Sequence, residues 1–265
     1  MRGDYIKTAD SKADHLHNTD ETGTTPQGTE TGKAFAEAGQ KVVGLMPSNS
    51  RENVTVATTI SADFTTWKPT IIFKGQRVQA DWMSEENGPL DARYTATDSS
   101  FMQGTVFLNY LTGFHKQLGE RGLLDGKPHV LVLDGHACYD VIKLAIELDI
   151  VLFQLPSHTS HITQPLDVAA FGCLKKNVTK VPTAYQLKHG GTLPLKRDMA
   201  GVIGEAWRKS FSPDQNKTSF AAAGLWSVNM DRAVCRLQGT GKRKPRPTDR
   251  PLLSDVPIVA SQKQL

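Results

Sequence analysis

Short apolar runs rich in β-branched residues mark the first part of the chain. They are KVVGLM at 41–46, NVTVATTISA at 53–62 and TIIFKG at 70–75. Such runs, bounded by turn-forming residues, are typical of β-strands. PSNSRE between the first two predicts a hairpin, and the three spacings together predict an antiparallel meander. Residues 80–98 have no regular pattern and predict an irregular segment.

The middle of the chain alternates between helical and strand patterns. Apolar residues recur at helical spacing in 99–118 and in 137–149. The runs VLVL at 130–133 and IVLFQL at 150–155 are continuously apolar, which is typical of strands buried on both faces. Residues 129–156 therefore predict strand, helix, strand, with a parallel pair joined by a right-handed crossover.

Helical patterns fill the remainder of the predicted domain. PLDVAAFGCLKKN at 165–177 predicts a helix with Pro165 in its first turn. An amphipathic helix is expected in 193–211, and a third, shorter one in 219–237. The last residues are rich in Pro, Lys and Arg and are expected to be disordered. The elements together indicate an α/β fold with a mixed sheet flanked by helices.

Composition narrows the class of protein. The chain has 265 residues, of which 38% are hydrophobic and 22% charged, as expected for a soluble globular protein with a real core. No apolar run approaches the ~18–20 residues of a membrane helix, and the N-terminus lacks a signal-peptide core. Cys138, Cys173 and Cys235 lie far apart without CxxC spacing. This argues against a disulfide framework or a structural zinc site and favours a reducing compartment.

The net charge of +4 is concentrated in one segment. GTGKRKPRPTDR at 239–250 holds five basic residues and one acidic residue, so the rest of the chain has no net positive excess. If the protein acts on nucleic acid, a local basic face or another module must supply the affinity for phosphates.

Two aspartates occupy positions where a parallel sheet gathers ligands. Asp134 ends the VLVL strand, and Asp167 follows the next strand after the polar stretch SHTSHITQPLDV. Ligand sites form beyond the carboxyl ends of parallel strands, so the two acids could meet at one sheet edge. Structural alternatives remain open: Asp167 suits a helix N-terminus, and Asp134 with its following glycine suits a turn.

A third acid, Asp20, lies in HNTDETG near the start of the chain. The preceding segment has little apolar character, which weakens any prediction of a strand there. By themselves Asp20 and Glu21 indicate only an acidic pair in a loop. Three carboxylates from distant segments would indicate a metal site if the fold brought them together. Such hard oxygen ligands would suit magnesium or manganese rather than zinc.

The order and spacing of five strings resemble the catalytic domain of DDE-superfamily transposases. The strings are HNTDETG, RENVTVATTISA, IIFKG, HVLVLDGH and LPSHTSHITQPLDVAAFGCLKK, and they look most like the pogo/Tigger/jerky branch of the mariner-type group. The resemblance covers roughly residues 18–177. LDGH together with LPxHTxHxxQPLD is its specific part, whereas NVTV or IFKG alone would be weak.

This resemblance implies a ribonuclease H-like fold. The central mixed sheet would have three antiparallel strands followed by parallel strands, flanked by helices. We therefore expect a polar N-terminal segment over 1–17, a catalytic domain over 18–237 whose helical C-terminal part covers 190–237, and a basic tail over 238–265.

The resemblance also implies a catalytic triad of metal ligands. The family pattern falls on Asp20 in TDETG, Asp134 in LDGH and Asp167 in QPLD. It implies DNA as the partner and two magnesium (or manganese) ions. One ion would activate a water, later a DNA 3′-hydroxyl, for attack on a phosphodiester, and the other would stabilise the leaving oxygen. Transposases commonly act as dimers on paired ends, so a homodimer is expected, although no sequence feature indicates its interface.

Three histidines near these acids have two interpretations. His136, His158 and His161 would either contact DNA phosphates and orient carboxylates, or hold their loop through hydrogen bonds. Gln164 and Pro165 are expected to set the direction in which the following helix starts.

The sequence departs from the family pattern around Asp20. Relatives usually carry a helix-turn-helix region before the first aspartate, have an apolar strand leading into it, and have an aromatic residue where this chain has Thr24. A truncated copy is therefore expected. Two functions compete: an active metal-dependent endonuclease core, and a domesticated or inactive nuclear protein that binds nucleic acid. An α/β hydrolase is disfavoured because no GxSxG elbow or Walker loop is present.

The basic tail has three interpretations. GKRKPRP resembles a nuclear localisation signal, which predicts a nuclear protein. An AT-hook is a weaker match because the Gly-Arg-Pro core is missing. The third interpretation is a solvated tail without a partner.

Overall fold

Six β-strands hydrogen-bond into one mixed sheet in the described part of the chain. The computed structural model describes residues 12–25, 53–83, 88–135, 138–189 and 192–237. The strands are β1 Leu16–Thr24, β2 Val54–Ser61, β3 Thr70–Lys74, β4 Arg93–Thr97, β5 His129–Leu133 and β6 Ile150–Gln154. The strand and hairpin expected around 41–46, and the basic tail, lie outside the described residues.

The strand order is β4-β3-β2-β1-β5-β6. β1 and β2 are antiparallel, as are β2 and β3. β5 is parallel to β1, and β6 is parallel to β5. This arrangement of antiparallel strands followed by parallel strands confirms the expected ribonuclease H-like fold. The predicted strand-helix-strand unit over 129–156 is also confirmed as a parallel pair.

Helices cover both faces of the sheet. They are α1 Gly104–Glu120, α2 Tyr139–Glu147, α3 Ser160–Thr163, α4 Phe171–Lys188, α5 Met199–Ser210, α6 Pro213–Ala223 and α7 Met230–Leu237. A π-helical segment, Leu166–Ala170, leads into α4. Three short 3₁₀ turns cover Ala13–His15, Ala80–Trp82 and Lys196–Asp198.

β1 contradicts the expectation of a weak first strand. It has nine residues and pairs with β2 from His17 to Thr24. The hydrophobic pattern missed it because most of its buried positions are polar. Most of these side chains have hydrogen-bond partners inside the fold: for example, Thr19 Oγ1 donates to the carbonyl of Thr58 at 3.1 Å. Thr22 Oγ1 has no such partner among the described residues. Buried polar groups with such partners avoid the cost of lost hydration.

Two other predictions from the pattern are wrong in detail. The segment expected to be irregular contains β4, whose five residues pair in parallel with β3 at the sheet edge. Four of the five are only half-buried, so they lack the apolar run of a central strand. The single helix expected in 219–237 is two helices, because the chain turns at Gly224 with φ of 71° after α6.

The core lies on both sides of β1 and β5. Successive residues of a strand point to opposite faces, so one face of the sheet packs against α1 and α2 and the other against the π segment and α4. The first cluster includes Leu111, Phe114, Leu131 and Val141. The second includes Ile60, Val132, Leu166 and Phe171. Burying a side chain of this kind stabilises the fold by about 1.5–3 kcal/mol, so the central strands and the π segment are held firmly together.

Candidate active site

The three predicted acids lie at one edge of the central sheet. Asp20 is in β1, and Asp134 comes directly after β5. The two strands run parallel, with Asn18 opposite Val132. Because each aspartate lies two residues beyond that pair, the register brings Asp20 and Asp134 to neighbouring positions. Asp167 reaches the same edge from the π segment, whose Leu166 side chain is fully buried in the core.

Asp20 is the buried member of the three, with 8% of its surface exposed. Burial raises its pKa well above the ordinary range, and the negative charges of Asp167 and then Asp134 raise it further. The backbone N–H of Glu21 donates to Asp20 Oδ1 at 2.8 Å and opposes this shift. The Asp20 carboxyl group therefore does not point to solvent, and the charges of both other predicted ligands affect its pKa.

Asp167 retains more exposure, yet its pKa is also raised. Desolvation is the largest cause, followed by the charge of Asp134. Lys175 on α4, a hydrogen bond with the side chain of Asp20, and His161 all act in the opposite direction. The three aspartates thus form one electrostatic unit in which like charges repel, and a cation would relieve that repulsion.

Glu21 is a fourth acid that the sequence interpretation passed over. Its pKa is raised by desolvation and then by the charges of Asp134 and Asp167. Glu21 follows Asp20 on a strand, so its side chain leaves the opposite face of the sheet. There it lines a cavity of about 310 Å³ together with Asp134, Phe107 and Cys138. Its position next to Asp20 at a sheet edge was the signal available in the sequence.

The donor set suits a hard divalent cation. Asp20, Asp134, Asp167 and Glu21 offer carboxylate oxygens alone, which magnesium and manganese prefer. Within the described residues, no group of three or more His, Cys, Asp or Glu side chains is close enough to hold one metal ion. Magnesium is usually held by one or two carboxylates and completes its shell with water and substrate phosphates. The side chains of Asp20 and Asp167, which are within hydrogen-bonding reach of each other, meet that requirement.

The three histidines near the predicted ligands differ in their surroundings. His161 lies near enough to Asp167 to lower its pKa. His158 is exposed and has a positive φ of 63° in the turn before α3. His136 lies outside the described residues. Among the described histidines of this loop, His161 is therefore the one shown to interact electrostatically with a predicted ligand.

The helix carrying Asp167 begins where the sequence predicted. The backbone carbonyl of Gln164 accepts from the N–H of Val168 at 2.9 Å, so the first helical turn opens at Gln164 and Pro165. The Gln164 side chain is fully buried, and neither atom of its amide has a hydrogen-bond partner among the described residues. This turn places Asp167 beside Asp20, in the middle of β1.

Comparison with known proteins gives a family. Residues 51–216 match the family model described as DDE superfamily endonuclease, which is more than half of the chain. The chain belongs to the DDE superfamily endonuclease family. The coarse resemblance found in the sequence is thereby confirmed.

One solved structure has a similar fold. The Mos1 strand transfer complex superposes with a TM-score of 0.53 at 8% identity, covering 88% of this chain and 57% of that one. The Mos1 mariner paired end complex with Mn gives a TM-score of 0.46 at 10% identity, covering 82% and 58% respectively. At such identities the likeness concerns the fold alone.

A curated relative from Cochliobolus lunatus is called MFS-type transporter clz9. It is 28% identical over 196 residues, which are 73% of this chain and 21% of that protein. This chain therefore spans about a fifth of the length of that relative. Among the helices in the described residues, none combines the length and apolar character that a membrane crossing needs.

Proposed function

We propose that this chain is a transposase-type DNA endonuclease and strand-transfer domain that depends on divalent metal. What supports the proposal is the convergence of Asp20, Asp134 and Asp167, which come from three separate motifs. The charges of Asp167 and Asp134 raise the pKa of Asp20, and the charge of Asp134 raises the pKa of Asp167. A structural ion-pair network would instead pair acids with bases. Acids gathered without enough bases are typical of a site that awaits a cation.

The basic residues of α4 would supply the local face for the DNA backbone. Lys175, Lys176 and Lys180 are exposed on the helix that begins after Asp167. Lys175 lies near enough to lower the pKa of Asp167. A phosphate held by these ammonium groups would lie beside the carboxylates, and this contact would weaken as salt concentration rises.

The aspartates would bind two magnesium or manganese ions and hold them at fixed positions. When bound, such a pair of ions supplies Lewis-acid activation of a water or a 3′-hydroxyl and stabilises the leaving oxygen. The side chains of the protein would orient the phosphodiester for in-line attack. Asp20, being buried, would keep water from competing on its side of the site. His161 would keep Asp167 charged and oriented.

Three finer assignments extend the proposal. We assign the chain to the pogo/Tigger/jerky branch on the motifs LDGH and LPxHTxHxxQPLD.

We propose a nuclear location, because the GKRKPRP segment resembles a localisation signal. A fluorescent fusion in which the basic residues of 242–246 are replaced by Gln should then lose nuclear accumulation. We also propose a homodimer, which sedimentation of the purified chain would reveal as twice the mass of one chain.

The deciding experiment is nicking of supercoiled plasmid DNA by the purified chain. We expect nicking with magnesium or manganese, none with a chelator, and loss of nicking in Asp134→Asn. The matched control is Asp140→Asn, which changes an exposed acid in the first turn of α2. That variant should nick like the unaltered protein.

Two other results would contradict the proposal. A folded chain that shifts DNA in a gel without nicking it would favour the competing function, a nuclear nucleic-acid-binding protein without catalysis. Metal-dependent nicking that survives in Asp134→Asn would show that the activity belongs to a contaminant or to another site.

A further inference from the structure

One buried amide on β1 contacts both of the other segments that carry a predicted ligand. Asn18 has 0% of its surface exposed and precedes Asp20 by two residues, so both side chains leave the same face of the strand. Asn18 Nδ2 donates to the carbonyl of Val132 at 3.1 Å. Its Oδ1 accepts from the backbone N–H of Leu166 at 3.0 Å.

The two partners of Asn18 are close to the other acids along the chain. Val132 lies two residues before Asp134, and Leu166 immediately precedes Asp167. A single side chain therefore connects the backbone of all three segments that carry the aspartates. Backbone groups move less than side chains, so these contacts restrain the separation of the acids more firmly than contacts among the carboxylates could.

The chemistry of the contact requires an amide. Leu166 opens the π segment, where a backbone N–H has no partner within its own helix and needs one from elsewhere. Val132 offers a carbonyl, which can only accept. An asparagine side chain of this length supplies the acceptor and the donor at once. A leucine of similar size would supply neither and would leave the N–H of Leu166 buried without a partner.

We propose that Asn18 is a positioning residue that sets the spacing of Asp20, Asp134 and Asp167, and thereby the affinity of the site for a divalent cation. The inference rests on the proposed function and deepens it. Asn18 would not itself contact the metal ion or DNA. It acts by holding the π segment against β1 and β5.

Manganese binding to the full chain provides the test, followed by the paramagnetic signal of free Mn²⁺. We expect Asn18→Ala and Asn18→Leu each to weaken Mn²⁺ binding by about 10- to 100-fold, as is usual when a group supporting metal ligands is removed. The two variants separate causes, since the leucine fills the space and lacks only the hydrogen bonds. Equal loss in both assigns the effect to the hydrogen bonds.

Asn216 provides a matched control. It is also fully buried, and its Nδ2 donates to the carbonyl of Phe64 at 2.8 Å and to Thr66 Oγ1 at 2.7 Å, away from the acids. Asn216→Ala should lower the melting temperature to a similar degree but leave Mn²⁺ binding unchanged. Wild-type affinity in both Asn18 variants, or an equal loss in Asn216→Ala, would overturn the proposal.

Hydrogen exchange at the Leu166 amide keeps the test decisive if a variant fails to fold. In the unaltered protein this amide should exchange as slowly as the amides in the centre of β1, with or without Mn²⁺. Exchange at the rate of an exposed amide would overturn the proposal. If the unaltered protein binds no Mn²⁺ at all, the proposed function fails instead, and slow exchange at Leu166 would still show that Asn18 holds this segment.

Discussion

The carboxyl group of Asp20 lies within hydrogen-bonding reach of Asp167, although the two residues are 147 positions apart in the sequence. Asp20 is the more buried of the two, and burial raises the pKa of both carboxyl groups. A hydrogen bond between two carboxyl groups requires a proton on one of them. Without a cation, the site stores unfavourable electrostatic energy that it can release on binding one.

Asp20→Asn should make the metal-free protein more stable at neutral pH. The folded pKa of Asp20 is raised, so its contribution to stability is complete below the unfolded value near 3.9 and is lost as pH rises through the folded value. Asparagine removes this loss and can still accept from the N–H of Glu21. We expect the melting temperature, followed by circular dichroism, to rise by about 3 °C.

Added Mn²⁺ should reverse that order. The unaltered protein gains stability from binding the ion, whereas Asp20→Asn gains little. Asp140→Asn serves as the control and should follow the unaltered protein in both conditions. If Asp20→Asn melts below the unaltered protein without metal, the electrostatic account of this site is wrong.

Glu21→Gln should weaken Mn²⁺ binding less than loss of a triad member does. Glu21 interacts with Asp134 and Asp167 through space, but its side chain leaves the face of β1 opposite Asp20. It therefore adds negative potential beside Asp134, with which it lines a cavity, but on the face away from Asp20. We expect a loss of roughly tenfold or less in Mn²⁺ affinity, measured by titrating the metal dependence of nicking.

Glu147→Gln provides the comparison for Glu21→Gln, because Glu147 is exposed at the end of α2. It should leave the titration unchanged. A loss in Glu21→Gln as large as that in Asp134→Asn would make Glu21 a direct ligand rather than a source of potential.

Sequence patterns found the acids but not the strand that carries the first of them. Asp134 and Asp167 follow apolar strands, so the rule that ligands gather beyond parallel strand ends applied directly. β1 has buried His17, Asn18 and Thr19 where a strand pattern expects apolar residues. Their partners are distant in sequence, and a local pattern carries no information about hydrogen bonds between distant segments.

The same limitation explains what was missed around the site. Asn18 bonds to Val132 and Leu166, and neither contact is visible until the strands are paired. The predicted C-terminal helix is divided into two helices at Gly224. A single glycine within a helical pattern does not by itself predict such a turn. Family resemblance supplied the position of Asp20, which periodicity alone would have left in a loop.

Gly224→Ala should destabilise the protein by about 2 kcal/mol or more. Gly224 ends α6 with φ of 71°, and a Cβ there would come within 2.3 Å of the carbonyl oxygen of Asn229. Backbone must move to relieve this clash. Urea unfolding followed by circular dichroism would measure the loss.

Gly122→Ala separates the clash from the backbone strain. Gly122 has a similar φ of 68°, but a Cβ there meets nothing within 4 Å. It should cost only the strain of a left-handed alanine, about 1 kcal/mol. Equal losses in the two variants would mean that the turn after α6 adapts freely.

Acid should destabilise the protein through a buried pair of histidines near the start of β1 and β5. His129 Nε2 lies 3.0 Å from the carbonyl of Leu123, which can only accept, so this nitrogen carries the proton. His129 Nδ1 then accepts from His17 Nε2 at 3.0 Å, and His17 Nδ1 accepts from Ser61 Oγ at 2.6 Å. With both rings neutral, each of these protons has an acceptor.

Protonating either ring would place a positive charge among buried groups, which burial disfavours. Burial lowers the pKa of His17, and the neighbouring rings of His129 and His15 and the charge of Arg121 lower it further. Burial is also the largest cause that lowers the pKa of His129, while Asp125 and Asp14 act in the opposite direction. The unfolded chain therefore binds more protons below about pH 6.5, so the free energy of unfolding falls as pH falls through that value.

We expect the melting temperature to fall by at least about 3 °C between roughly pH 7.5 and pH 5.5. In the double variant His17→Gln/His129→Gln the protein should be less stable throughout, but its melting temperature should depend less on pH because neither position titrates. His158→Gln, which changes an exposed histidine, should keep the slope of the unaltered protein. An equal slope in the double variant would assign the acid sensitivity to other groups.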